Sequence, residues 1–350
     1  ESLSNSERDE SQENTSATLD LKVPVRLGGW LDGYLKFGGK HYSNYRDRLT
    51  TGYRVFNWET PNLFTDPEAT FPWEVNDSGR ARMAPFLGAP DDTYWILNGQ
   101  FQMAHMPSIR FVNQMWDEYS DLYRPLYATR LSDYNATERL SAGYVMTELN
   151  LGDRIMILPG IRYEYEHSEY TAKAGAFQDK LDNLEEDDLT ESFTDSLAER
   201  NMGMWFPMVQ ARIRVTDWFD MRLARTVSTS RPSFGDLAPR FNINYDGGSV
   251  RRSNTQISPM KATNYDLFLT FYQNRLGLFT IGGFYKEVED LIYTRNANIV
   301  FPDELGLPSN TRLFSITEPV NNPNLTTVHG FELEWQSNFT NFPPPLNGLV

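Results

Sequence analysis

Met208-Val209-Gln210-Ala211-Arg212-Ile213-Arg214-Val215 is the stretch that decides the fold. Val209, Ala211, Ile213 and Val215 fall on one side of an extended chain, and Gln210, Arg212 and Arg214 fall on the other. Successive strand side chains point to opposite faces, so this spacing predicts a strand with one apolar and one charged face. The same period of two recurs along the chain. Leu19, Leu21, Val23, Val25 and Leu27 alternate with Asp20, Lys22, Pro24 and Arg26. Ile161, Tyr163 and Tyr165 alternate with Arg162, Glu164 and Glu166. Tyr265, Leu267, Leu269 and Phe271 alternate with Asp266, Phe268, Thr270 and Tyr272. Phe331, Leu333 and Trp335 alternate with Glu332, Glu334 and Gln336. Helical spacing fits none of these segments. The charged faces are awkward for a dry interior and natural for a lumen that holds water or a plug.

The connections carry the second signal. Leu27-Gly28-Gly29-Trp30, Leu151-Gly152-Asp153-Arg154, Thr216-Asp217-Trp218 and Gln273-Asn274-Arg275-Leu276-Gly277 have the composition of tight turns. Long polar stretches lie between them, at 46–134, 172–202, 232–259 and 294–326. Short and long connections therefore alternate from Leu19 to Asn341, as in outer-membrane barrels with short periplasmic turns and long extracellular loops. A soluble sandwich mixes turn lengths at both ends. About ten strands are expected on this reading, with Trp30, Trp218 and Phe219 beside the short turns. Tyr42, Tyr170 and Tyr293 sit at the opposite strand ends, where a second aromatic girdle would meet headgroups. Residues 1–16 read as a loop leading into the first strand, and the Pro343-Pro344-Pro345 turn reads as leading out toward another.

Composition agrees. The 350 residues are 14% aromatic, yet the mean hydropathy is −0.53. A helical membrane protein cannot be so polar, since each span needs about 20 apolar residues. A barrel can, because only every second strand residue meets lipid. With no cysteine there is no disulfide, thiol nucleophile or cysteine-bound zinc. A net charge of −15 and no visible basic patch argue against a nucleic-acid partner.

Several stretches resemble the barrels of TonB-dependent receptors, especially the long Bacteroidetes-type members. They are Arg231-Pro232-Ser233-Phe234 with Asp236-Leu237-Ala238-Pro239, then Asn264-Tyr265-Asp266-Leu267, Phe284-Tyr285-Lys286, Asp290-Leu291-Ile292 and Gly330-Phe331-Glu332-Leu333-Glu334. Leu158-Pro159-Gly160-Ile161-Arg162-Tyr163-Glu164 is similar to a further family strand. Where the family usually has an Asn-Pro pair, this chain has Asn254-Thr255, which limits what can be carried over for that loop. The resemblance implies an all-β fold. Residues 1–350 would form part of one antiparallel transmembrane β-barrel of roughly 22 strands, plugged, in the bacterial outer membrane. It also implies an N-terminal plug domain with a TonB-binding box, placed before Glu1 and outside this chain.

The candidate site residues fall in two groups. The long loop at about 46–134 holds Trp58, Trp73, Tyr94, Trp95, Trp116, Tyr119 and Tyr123. Loop aromatics grip sugar rings, peptides and aryl siderophores, or fold a long insertion onto a small core of its own. The strands supply Arg162, Glu164, Glu166, Arg212, Arg214, Glu332 and Glu334 as lumen-lining residues. Their paired carboxylates could serve acid–base chemistry, but neighbouring arginines make charge pairing the simpler account. Accordingly no catalytic residue and no enzymatic activity are expected. His41, His105, His167 and His329 are isolated, so no metal site is expected either, and His167 and His329 are explained by lumen or rim positions. Glu185-Glu186-Asp187-Asp188 lacks the ordered ligands of a calcium loop. No cofactor is implied. The expected function is TonB-dependent import of a scarce siderophore, glycan or peptide, with TonB and outer-membrane lipids as partners. A surface lipoprotein is a further candidate partner. The alternative is a barrel that serves as receptor or scaffold for such lipoproteins without transport. Arg at Leu267 or Leu269 is expected to block insertion, and Arg at Thr270 to be tolerated.

Overall fold

The computed structural model describes residues 2–56, 95–96, 101–102, 113, 116–117, 124–177, 193–244, 248–273, 277–299 and 314–337. Sixteen strands are present among them. They are β1 (Ser2–Leu27), β2 (Leu31–Phe56), β3 (Trp95–Ile96), β4 (Phe101–Gln102), β5 (Arg124–Pro125), β6 (Tyr134–Leu151), β7 (Ile155–Phe177) and β8 (Phe193–Thr216). Then come β9 (Phe219–Ser230), β10 (Phe241–Asn244), β11 (Ser249–Arg252), β12 (Met260–Gln273), β13 (Gly277–Glu289), β14 (Ile292–Ile299), β15 (Phe314–Asn321) and β16 (Thr326–Gln336).

The chain divides into two units by its internal contacts. The smaller comprises Glu1–Asp9, Thr50–Arg130 and Asp179–Leu189. Within it the end of β2 pairs with β5 through Tyr53 opposite Pro125, and β3 pairs with β4 as a short antiparallel ladder. The Leu126 N–H donates to the Gly52 carbonyl at 2.7 Å. Thr129 closes the corner, its hydroxyl lying 2.7 Å from the Leu126 carbonyl oxygen.

The larger unit is a meander. Adjacent strands pair in the order β1-β2-β6-β7-β8-β9-β12-β13-β16, with antiparallel register throughout the ladders from β2 to β16. Tight turns permit this order, because only antiparallel neighbours can be joined by a few residues. Gly28 and Gly152 take φ of 66° and 56° in two of those turns, a region that L side chains rarely adopt. Strand lengths exceed the expectation. β1 is strand from Ser2, where a loop was expected over 1–16, and β2 continues to Phe56, beyond the expected loop start at 46. Polar composition alone misread both segments: a strand hydrogen-bonded to a neighbour needs no apolar face when it runs into water.

Register puts the predicted faces in order. On the apolar side, Phe219, Phe271, Phe279 and Trp335 stand in one row across four strands. Met221, Leu269, Ile281 and Leu333 form the next row, and Leu223, Leu267, Gly283 and Phe331 the one after. Many of these side chains are exposed: Leu223 is 41%, Leu267 39% and Leu333 62% exposed. The Phe219 and Phe271 rings stack with centroids 4.7 Å apart, and Trp218 joins them at 6.2 Å from Phe271. Toward the other strand ends come Tyr265, 6.2 Å from Tyr285, and Trp205, 4.6 Å from Tyr163. His167 falls on this same side, in the row of Arg139 and Asn201, and His329 in the row of Tyr285, which leaves the rim half of the expected lumen or rim positions.

The opposite side is polar and, at its far end, covered. The segment 231–259 contains a helical turn, Phe234–Leu237, capped by Ser233, whose Oγ accepts from the Asp236 N–H at 3.2 Å. Pro239 cannot continue a helix, and the turn stops before it. Leu237, Ala238 and Ile257 pack with Tyr134, Ala136, Tyr170 and Ala172 in the main buried cluster. A second cluster joins Ile243, Val250, Phe314 and Ile316, where β10 and β11 meet β15 and its hairpin partner β14. Asn321 ties these pieces together: it accepts from the Ser258 N–H at 2.8 Å and donates to the Ser258 and Asp290 carbonyls. Thr270 is 5% exposed and opposite Asp220, so the tolerance expected for Arg there is withdrawn.

Candidate functional site: the charged face and its covered end

All seven expected strand residues lie on the polar side of the sheet. Arg162, Glu164 and Glu166 alternate with Tyr163 and Tyr165 on β7, Arg212 and Arg214 sit on β8, and Glu332 and Glu334 sit on β16. Their partners differ in part from those the sequence suggested. Arg162 donates to Glu164 at 2.7 Å. The more important cation is Arg231, just past β9. It donates to Glu164 and to Glu166 at 2.5 Å each. One guanidinium thus bridges two carboxylates that stand two residues apart on the same face, where they would otherwise repel. Ser168 adds a hydrogen bond to Glu166 at 3.1 Å, and the Tyr170 hydroxyl donates to Glu138 at 3.0 Å.

Arg212 and Arg214 do not pair with glutamates. Both turn to Asp220, which is 2% exposed; Arg212 Nε donates to it at 2.8 Å, and Arg214 Nε lies 3.9 Å away. The Tyr272 hydroxyl lies 3.4 Å from the same carboxylate. Among the described residues Glu332 and Glu334 form no ion pair with an arginine; Glu334 instead accepts from Gln336. Asp220 and Arg231 were missed from sequence for different reasons. Asp220 sits beside a turn, where an aspartate is ordinary. Arg231 lies beyond the last alternating residue of its strand, so period gives no hint of where it reaches.

Of the expected loop aromatics, Trp58, Trp73, Tyr94, Tyr119 and Tyr123 lie outside the described residues. Trp95 is placed in β3. Trp116 is half-buried, with its ring 5.3 Å from that of Tyr53, a contact within the smaller unit. Among the described residues no group of three or more His, Asp or Glu could hold a metal ion.

Near β15, Arg252 and Arg295 both donate to Glu318, which is buried at 3% exposure. Burial pushes the Glu318 carboxyl up, but the hydrogen bonds from Arg252 and Arg295 outweigh it and hold the group below the usual carboxylate range.

A meander with one face of uncovered aromatic and aliphatic rows and one face of networked charge is the wall of a membrane-embedded β-barrel. Water would not tolerate the first face at this extent, and lipid would not tolerate the second. The chain belongs to the TonB-dependent receptors of the outer membrane: the family model described as TonB dependent receptor-like, beta-barrel, matches residues 2–349. No curated protein matches it in sequence. Among solved structures it is similar to the ferric-catecholate import receptor Fiu from K12 E. coli, with a TM-score of 0.51 at 11% identity, over 95% of this chain and 36% of that one. It is also similar to the siderophore receptor PiuA from Acinetobacter baumannii, with a TM-score of 0.44 at 12% identity, over 93% of this chain and 36% of that one. At these identities the likeness concerns the fold alone. The chain spans 36% of the length of each of these two receptors.

Proposed function

We propose that this chain is wall and extracellular mouth of an energised importer, which takes a scarce siderophore, glycan or peptide into the periplasm. The observation that carries the reading is the polar face. Arg162, Arg212, Arg231 and their carboxylates form fixed pairs along it, as suits a wall facing a plug or a hydrated path. Arg162, Glu164, Glu166, Arg212, Arg214, Glu332 and Glu334 are on this reading lumen-lining residues. The aromatic loop residues, Trp58, Trp73, Tyr94, Trp95, Trp116, Tyr119 and Tyr123, are candidates for ligand capture. TonB would act through a plug supplied by the whole protein, and a surface lipoprotein is a candidate accessory. No catalytic role is assigned.

The test is growth of a strain lacking the full-length protein under iron, glycan or peptide limitation, beside a strain lacking TonB. A defect on one nutrient shared by both strains, and rescued by the full-length protein, supports import. Unchanged growth on all three, with loss of a surface lipoprotein from the cell, favours a scaffold and overturns import.

A further inference from the structure

The chain is strongly acidic, and arginines at the covered end of the polar face are generally paired. Arg46 reaches Glu10, Arg231 reaches Glu164 and Glu166, and Arg252 and Arg295 share Glu318. Some arginines in the same region depart from this. Arg48 on β2, Arg240 before β10 and Arg251 on β11 form no ion pair among the described residues. Arg48 and Arg240 converge on one ring: their guanidinium carbons lie 5.9 Å and 5.7 Å from the centroid of Tyr134. The Nε atoms of both are buried and have no hydrogen-bond partner among the described residues.

The arrangement is held in place. Arg240 donates through Nη2 to the Gly235 carbonyl, and its own carbonyl accepts from the Ser253 N–H at 3.0 Å. Tyr134, against which both side chains rest, is 4% exposed within the main buried cluster. Burial lowers the pKa of Arg240, and repulsion from Arg48 and Arg251 lowers it further, with Tyr134 and Asp236 opposing. Arg48 and Arg240 are half-buried, and like charges held together partly out of water are costly. Stacking on Tyr134 relieves only part of that cost. An anion between them would relieve the rest, and guanidinium forks match carboxylate and phosphate oxygens in geometry.

We propose that Arg48 and Arg240 form an oxyanion site beside Tyr134, which takes a ligand carrying multiple carboxylate or phosphate oxygens. The proposal deepens the import reading and rests on it only for the ligand's onward passage. It names the chemical class of what the mouth would hold.

Full-length protein in detergent, titrated calorimetrically with pyrophosphate and with succinate, tests it. Binding of either probe is expected, weakened about tenfold by Arg48→Gln or Arg240→Gln and abolished by the pair, since each removes a charge-assisted fork. Arg295→Gln, which disturbs a paired arginine elsewhere, should leave affinity unchanged. The two probes separate phosphate from carboxylate preference. If the variants do not assemble, phenylglyoxal modification of the wild-type protein replaces them. Pyrophosphate or succinate should then protect Arg48 and Arg240, read by peptide mass spectrometry. No binding by the wild type, equal binding by the double variant, or no protection would each overturn the site. TonB-dependent growth without oxyanion binding sinks this inference and spares import; binding without TonB-dependent growth does the reverse.

Discussion

Arg231 shows how much a single side chain can hold. Glu164 and Glu166 sit at 13% and 7% side-chain exposure, too buried for water to separate their charges. Arg231→Met should therefore destabilise the assembled barrel by about 3–5 kcal/mol, the usual consequence of removing one partner from a buried ion network. Urea unfolding followed by loss of heat modifiability would measure it. Arg231→Lys should recover only part, because an ammonium cannot present two parallel donors to two carboxylates. Equal stability of all three proteins would show the bridge to be idle. Glu318 gives a pH-dependent case. Its folded pKa is depressed, so its contribution is present above the ordinary glutamate range and is lost as pH falls through the lowered folded value. Hydrogen exchange at β14 and β15 amides should rise in that acid window. In Glu318→Gln the acid-dependent rise should be absent.

At the scale of the strand, register matters more than composition. A one-residue slip would carry every apolar row of β12 to the polar side, and tight turns at one end prevent it. Leu267→Arg places a guanidinium between Leu223 and Gly283 in the apolar row. It should cost about 2–4 kcal/mol if that row lies at mid-membrane, and lower the yield of assembled protein. Glu332→Arg on the polar side of β16 should assemble like the wild type. Equal yields for both would contradict the assignment of faces. The period of two made the faces legible for β7, β8, β12 and β16. It failed for the first half of β1 and the end of β2, because strand segments beyond the membrane have no need to alternate.

Across the whole molecule, what the long insertion does remains a separate prediction. Removing residues 60–92 from the full-length protein should leave heat-modifiable barrel at normal yield and reduce ligand-dependent growth. Failure of assembly would instead make Trp58, Trp73 and Trp95 packing residues. Normal growth would make the segment dispensable. The loop is far longer than connections usually run, and its aromatic content is unlike that of disordered segments.

Alternation of side chains and spacing of turns determined the wall without any tertiary information. Both follow from backbone geometry and from having lipid on one side. They also placed Arg162, Glu164, Glu166, Arg212, Arg214, Glu332 and Glu334 on a common side. Which charges pair was decided only by the folded sheet. Asp220 meets Arg212 across a turn, and Arg231 crosses from the end of β9 to β7. Arg48, Arg240 and Arg251 illustrate the same limit. No stretch of the sequence reads as basic, since these residues come from distant segments. Folding brings Arg48 and Arg240 together on Tyr134, because β2 and β6 are paired and the segment after β9 returns over them. Electrostatic partners depend on distances in space, and local sequence carries no record of those.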